Sequence, residues 1–413
     1  MVKEKFLYRI MLPTFLVCVF LLHSDKRVYT DIKNNRHKKK IVVFTSTGGG
    51  GHMAATRALQ TYLEDEYTVI PYFPIMENDP MKSVSFGYSG GEDTYNYLIM
   101  RKYYNVINLM SKGSIWYYKT YHDMVMHNYI EYLEKVSPEL VISVIPFINK
   151  ALLEATKAKK IPFLLMPTDL DMRTFIHNIH DPDYEKFHLA LAFENDDIKT
   201  QVEKAHIPRG QTSVCGFPLR EDFFSPKDIP SIKKKYHIPA EKPTILILMG
   251  AAGSYASYRY VKQLTLVESP LHVIVALGRN ELLRPKIEEL PLPETMSLTI
   301  LGFTQDMADL MAVSDLCITK SGSVSFCEAL YSNLPMLLDG TTGVLRWERF
   351  NHRYTEDNNF GYIIKRYSTV PALITQLLNN PHIIAGMRKK LQSLQKKQMG
   401  LEIKPLIERL LAQ

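Results

Sequence analysis

The sequence predicts an α/β protein built as two Rossmann-like domains facing a cleft. Short β runs alternate with helical stretches from residue 41 onward, the pattern that parallel sheets covered by helices on both faces require. The alternation occurs in two series, separated by a proline-rich stretch over 217–243 that holds Phe-Pro-Leu-Arg, Ser-Pro, Ile-Pro and Ile-Pro-Ala-Glu-Lys-Pro. The 413 residues also exceed the roughly 250–300 at which a single core usually stops growing.

The first series opens with a buried strand over Ile41–Ser46, a glycine run, a helix from about Met53 to Glu64 and a strand around Val69–Tyr72. Strands follow at Val141–Ile145, Phe163–Met166 and Leu189–Phe193. The second series has strands at Thr244–Met249, His272–Leu277, Leu298–Leu301, Leu316–Thr319 and Met336–Leu338, with helices between them. The expected divisions are an N-terminal segment 1–40, a first domain 41–225, a linker 226–243, a second domain 244–385 and a basic helix 386–413. Residues 95–132 stand apart, with nine tyrosines and Trp116 interleaved with methionines. Such aromatics suit a surface that is wet at one end and apolar at the other, or an inward-facing helical core; both readings stay open here.

A hydrophobic share of 46% with 23% charged residues excludes a disordered chain, a collagen and a small disulfide scaffold. Lys and Arg exceed Asp and Glu by 7 overall, and residues 1–40 carry that whole excess. The body is therefore balanced, and nucleic-acid binding is not expected. The four cysteines show no Cys-x-x-Cys spacing, and Cys317 and Cys327 read as small core residues.

Residues 10–22 form an apolar run of 13 behind Lys3, Lys5 and Arg9. About 20 apolar residues are needed to cross a bilayer. No small-x-small cleavage site follows Leu22, and Val17 precedes Cys18 where a lipoprotein needs a small residue. The expectation is a segment that associates with membrane, its basic stretch 26–40 held by an anionic leaflet.

Three turns carry the candidate chemistry. Gly48-Gly49-Gly50-Gly51-His52 follows a strand and opens a helix, so backbone N–H groups and the helix dipole point at whatever sits there. It matches neither a Walker loop nor GxGxxG. A histidine at that position can accept a proton from a hydroxyl. In the second series, Met249-Gly250-Ala-Ala-Gly253-Ser254 and Lys320-Ser321-Gly322-Ser323-Val-Ser325 each follow a strand, and small hydroxyl residues beside glycine at a helix start can cradle a diphosphate. Glu328, one to two turns further along, reaches a ribose diol held above that turn. Two such turns at strand C-termini in one domain mark a nucleotide site.

With Gly302-Phe303 before Met307, Ile318-Thr-Lys-Ser-Gly322, Glu328-Ala-Leu and Leu334-Pro335, the chain resembles the monogalactosyldiacylglycerol synthase and processive diacylglycerol glucosyltransferase family. The peptidoglycan N-acetylglucosaminyltransferase is a more distant relative. Thr168-Asp169-Leu170, Gly216-Phe-Pro-Leu-Arg220 and Gly278-Arg279-Asn280 extend the match, which runs in order from about 41 to 365. The resemblance implies a GT-B fold and transfer of a hexose, with inversion and without a metal or other cofactor, from a UDP-sugar to a membrane lipid, diacylglycerol first. It implies an acceptor-side first domain and a donor-binding second domain at the cytoplasmic face of a membrane. Carried over by position, His52 is the candidate base or orients the acceptor hydroxyl, and Asp169 is a second candidate near the cleft. Phe303 lies by the uracil, Glu328 binds the ribose, and Gly253, Ser254, Ser321, Gly322, Ser323 and Ser325 surround the diphosphate.

Where the family commonly has Pro-Gly-Gln-Glu-x-x-Asn to hold the sugar, this chain has Gly343-Val-Leu-Arg346-Trp347-Glu348-Arg-Phe-Asn351. Glu348 and Asn351 keep their spacing, but an indole replaces the amide and two extra residues follow the glycine. The phosphate turn reads Ser-Gly-Ser where a Pro-Gly-Gly type sequence is usual. An undecaprenyl or other envelope-lipid acceptor, and a UDP-sugar-binding protein without transfer activity, therefore remain open alternatives. Asp169-Leu-Asp171 matches a metal-binding DxD pair, but a donor site in the second domain makes no metal expected there. His177, His180 and His188 fit no zinc-ligand spacing.

Overall fold

The computed structural model describes residues 38–74 and 91–413, so the apolar run 10–22 and most of the basic stretch lie outside the described residues. Two six-stranded sheets form, and every strand pairing in them is parallel. The first contains β1 (Lys39–Phe44), β2 (Tyr67–Tyr72), β3 (Leu140–Ser143), β4 (Phe163–Leu165), β5 (Phe187–Leu191) and β6 (Thr212–Val214), in the order β2-β1-β3-β4-β5-β6. The second contains β7 (Thr244–Leu248), β8 (Leu271–Ala276), β9 (Met296–Leu301), β10 (Leu316–Thr319), β11 (Met336–Asp339) and β12 (Gly361–Ile364), in the order β12-β11-β10-β7-β8-β9. Strands such as Leu-Val-Ile-Ser and Thr-Ile-Leu-Ile-Leu are buried at every position, as helices on both faces demand.

The helices that shape the site are α1 (Gly51–Leu63), α2 (Gly91–Met100), α3 (Tyr104–Thr120), α4 (His122–Val136), α5 (Ala256–Leu264), α6 (Ser323–Tyr331), α7 (Arg349–Asp357) and α8 (Met399–Leu411). The aromatic segment is divided between the core and the surface. Tyr104, Tyr117 and Tyr129 are buried, whereas Tyr97, Tyr103, Trp116 and Tyr121 are exposed. Cys317 and Cys327 are buried free thiols.

Two strands, β6 and β12, lacked a visible sequence signal. Both are short edge strands; β6 is half-exposed Thr-Ser-Val, and β12 opens on a glycine. That glycine is required: a Cβ on Gly361 would fall 1.6 Å from the Met336 carbonyl oxygen.

The C-terminal stretch is two helices rather than one. Pro381–Gln392 packs Ile384 and Met387 into the second core, while α8 places Met399, Ile403, Leu406, Ile407 and Leu410 in the core shared with the first sheet. Lys404 pairs with Glu66 at 2.7 Å, so the end of the chain ties back onto the first domain.

Candidate active site between the two sheets

Sheet order places the glycine turns. β1 lies between β2 and β3, and β7 between β10 and β8, so each is the strand where the winding direction reverses. Open parallel sheets bind ligands at that point, beyond the strand C-termini. Because β7 pairs with β10, the turns at 249–254 and 320–323 lie side by side although about 70 residues separate them; Thr319 Oγ1 donates to the Leu248 carbonyl at 2.7 Å. Gly253 has φ +74°, and a Cβ there would sit 2.1 Å from the Leu277 carbonyl oxygen, so only glycine makes this bend.

The first domain's turn faces these two. A Cβ on Gly50 (φ +84°) would lie 3.4 Å from Ala251, and one on Gly51 would lie 3.1 Å from Val324. The start of α1 thus confronts the start of α6 and the bend before α5. Helix starts present unpaired N–H groups and the positive end of the peptide dipole. Tyr95 closes over Gly48 and Gly49, and Asn96 Oδ1 accepts from the Gly49 N–H at 2.8 Å.

His52 Nδ1 lies 2.8 Å from the Val144 carbonyl and 2.9 Å from Thr168 Oγ1. A carbonyl can only accept, so Nδ1 carries the hydrogen and Nε2 keeps its lone pair. Burial lowers the imidazole pKa to about 4, against the opposing pull of the Val144 bond. Asp169 reaches across the interface: its Oδ1 accepts from Ser323 Oγ at 2.7 Å, at the first residue of α6. Burial raises its pKa to about 7, although the Ser323 bond and Lys320 oppose the rise.

On the second-domain side, Lys320 supplies the positive charge that bears on both Asp169 and Glu348. Its side chain packs beside Gly250 and Gly322, where a Cβ would come within 2.8 and 2.9 Å of Cε. Glu348 is buried and its pKa is raised by that burial. Asn351 is fully buried and acts on the turn itself, its Nδ2 donating to the Ser321 carbonyl at 2.7 Å. His352 Nε2 and Ser321 Oγ are 2.5 Å apart. Ser254, Ser321, Ser323 and Ser325 are all buried around the paired turns.

Further out, Phe303 is 48% exposed with the Arg279 guanidinium 5.3 Å from its ring centroid, an open platform flanked by a cation. Glu328 lies on α6, with its pKa raised to about 8 by burial while Arg220 pulls it down. Arg220 itself donates to the Gln305 carbonyl at 2.7 Å, tying the end of the first domain to the Phe303 turn. The sequence reading gave Lys320, Tyr95 and Asn96 no role in the site. Lys320 had a signal, as the residue opening the third turn; the other two lie on α2, and nothing local connects Asn96 to a glycine 47 residues earlier. Of the demoted histidines, His188 is buried with Nε2 2.9 Å from Ser213 Oγ, and among the described residues no three His, Cys, Asp or Glu side chains gather as metal ligands.

Residues 244–399 match the model of the glycosyltransferase family 28 C-terminal domain. The chain resembles processive diacylglycerol beta-glucosyltransferases: that of Staphylococcus epidermidis is 28% identical over 367 residues, covering 86% of this chain and 88% of the relative. That of Staphylococcus haemolyticus is 26% identical over 361 residues, with the same coverage. Among solved structures, MurG of Acinetobacter baumannii superposes with a TM-score of 0.59 at 15% identity, over 90% of this chain and 99% of that one. The chain is a glycosyltransferase with the GT-B fold. The paired turns of the second sheet and the glycine turn of the first face one another across the cleft between the two sheets.

Proposed function

We propose that this glycosyltransferase moves a hexose from a UDP-sugar to the hydroxyl of a diacylglycerol-type membrane lipid, with inversion at the anomeric carbon. The observation that carries the reading is the meeting of three strand-to-helix turns, one from the first sheet and two from the second, around His52, Asp169 and Lys320. The uracil rests by Phe303, Glu328 takes the ribose, and the amides at 250–254 and 321–325 hold the diphosphate with Lys320. As the acceptor oxygen bonds to C1, the bond from C1 to the β-phosphate oxygen breaks. The acceptor proton passes to His52 Nε2, and UDP departs with the bonding pair. Fixed N–H dipoles aimed at the leaving group stabilise its growing charge without reorganisation. No metal or other cofactor is part of this proposal.

The acceptor reaches the cleft from a lipid surface. Leu109 (69% exposed), Trp116 (62%), Tyr97, Tyr103, Tyr121 and Met124 lie along α2–α4 with Arg101, Lys112 and Lys119 among them. Amphipathic aromatics mixed with cations match the headgroup region of an anionic bilayer. Among the described residues no helix is long and apolar enough to cross a membrane. Because nucleotide sugars are cytoplasmic, the proposed contact is with the cytoplasmic face.

The test is transfer from labelled UDP-glucose, UDP-galactose and UDP-N-acetylglucosamine to vesicles containing diacylglycerol or a polyprenyl acceptor. Labelled diacylglycerol is expected, reduced about 100-fold or more in His52→Ala. UDP binding by calorimetry without product from any pair would overturn the reading; product on the polyprenyl acceptor alone would replace diacylglycerol with that lipid.

A further inference from the structure

The 339–348 segment, which runs into the Gly343–Asn351 stretch where the sequence departs from the family pattern, is held from the other domain. Lys102 follows α2 in a left-handed backbone conformation (φ 58°), which non-glycine residues rarely adopt. Its ammonium pairs with Asp339 at the end of β11 and lies 3.3 Å from Thr341 Oγ1 and 3.2 Å from the Tyr367 hydroxyl. Both side chains of the pair are buried, at 9% and 2% exposure. Asp339 also accepts from Tyr260 OH at 2.9 Å, Thr341 Oγ1 at 2.7 Å and the Thr341 N–H at 3.1 Å. Burial alone would raise the Asp339 carboxyl; Lys102 and Thr341 hold it below the ordinary carboxylate range instead. A buried ion pair is costly unless its remaining positions are bonded, and here they are.

An apolar contact runs beside the pair. Ile99, Tyr104 and Ile107 of the first domain cluster with Leu345 of the second, and Trp347 packs against them. Asn108 Oδ1 accepts from the Arg346 N–H at 3.0 Å. The indole in place of the family's amide is thus turned toward α2 and α3. Glu348, next in sequence, is left to face Lys320 at the donor turns.

We propose that Lys102 is a positioning residue for the donor sugar: through Asp339 and the Leu345–Trp347 contact, it fixes the segment that presents Glu348 to the site. This rests on the donor lying at the paired turns. Nucleoside and diphosphate contacts lie outside the pinned segment, so releasing the segment costs sugar recognition and spares UDP. Asp339→Asn in the same chain removes the stranded charge while keeping an acceptor for Tyr260 and Thr341.

The experiment compares UDP and UDP-glucose affinity by calorimetry, with amide hydrogen exchange, in wild type, Lys102→Met and Lys102→Met/Asp339→Asn. The expected result for Lys102→Met is about a tenfold or greater loss of UDP-glucose affinity, UDP affinity within about twofold, and faster exchange confined to 341–348, with the double variant regaining most of the loss. Equal losses for UDP and UDP-glucose, or no loss at all, would overturn the proposal. So would unchanged exchange at 341–348. Asn108→Ala, which removes one acceptor at the half-buried edge, gives the same pattern at about threefold and decides the matter if Lys102→Met does not fold. A wild-type chain that binds no UDP-sugar overturns the donor reading, and the exchange comparison still judges the pinned segment.

Discussion

At the residue scale, burial moves the two first-domain candidates in opposite senses and so divides their roles. A histidine lowered to about 4 is neutral at physiological pH and ready to accept, and it becomes protonated only as pH falls through about 4. An aspartate raised to about 7 loses its proton as pH rises through 7, and then adds a negative charge to the cleft in which, on the proposed mechanism, His52 takes up a proton. The rate should therefore climb between about pH 6 and 8, and this limb should vanish in Asp169→Asn while that variant retains transfer. A pH profile of kcat/KM for the two proteins checks it; an unchanged limb near 7 would assign it elsewhere. Lys320→Met should raise KM for the UDP-sugar about 10- to 100-fold, since charge-assisted hydrogen bonds contribute roughly 1.5–3 kcal/mol each. Steady-state kinetics over a donor titration measures this. His52 stands in a recognisable glycine turn and Glu328 one to two turns beyond another, whereas Asp169 was named from the family resemblance. Lys102 was not: its left-handed backbone and its partner 237 residues away leave no local trace.

At the element scale, the glycines separate bends that need them from helix positions that do not. Gly253→Ala meets both a positive φ and a carbonyl oxygen, so it should destabilise the protein by roughly 1–3 kcal/mol and weaken UDP binding. Gly113 lies in α3 with open space where a Cβ would go, so Gly113→Ala should stabilise by up to about 1 kcal/mol and leave UDP binding unchanged. Denaturant melts of the pair, with calorimetry, distinguish the two cases. The sequence pattern exposed all four interior strands of each sheet because they are continuous apolar runs, and β2 and β9 as well. It concealed β6 and β12, whose pairing depends on a neighbouring edge rather than on their own composition. The two turns of the second domain were expected at one site, but the strand pairing that joins them, β7 with β10, is a property of topology that no local pattern displays.

At the scale of the whole molecule, two doubly wound halves are joined by contacts of different kinds. The α8 strap packs apolar side chains against the first domain, the Lys102–Asp339 pair crosses beside the donor segment, and Ser323–Asp169 crosses at the site itself. The exposed face of α2–α4 includes the helices α2 and α3 that hold the 339–348 segment, so the proposed lipid contact and the proposed donor geometry share one structural unit. Replacing Leu109 and Trp116 together with serine should lower binding to anionic vesicles about tenfold while leaving UDP affinity in solution unchanged. Vesicle co-sedimentation alongside calorimetry checks both halves of that statement. The most direct examination of the central claim is a crystal structure of the protein with UDP. The account predicts the diphosphate against the main-chain amides of 250–254 and 321–325, the ribose at Glu328 and the uracil beside Phe303. A nucleotide bound away from those paired turns would contradict it.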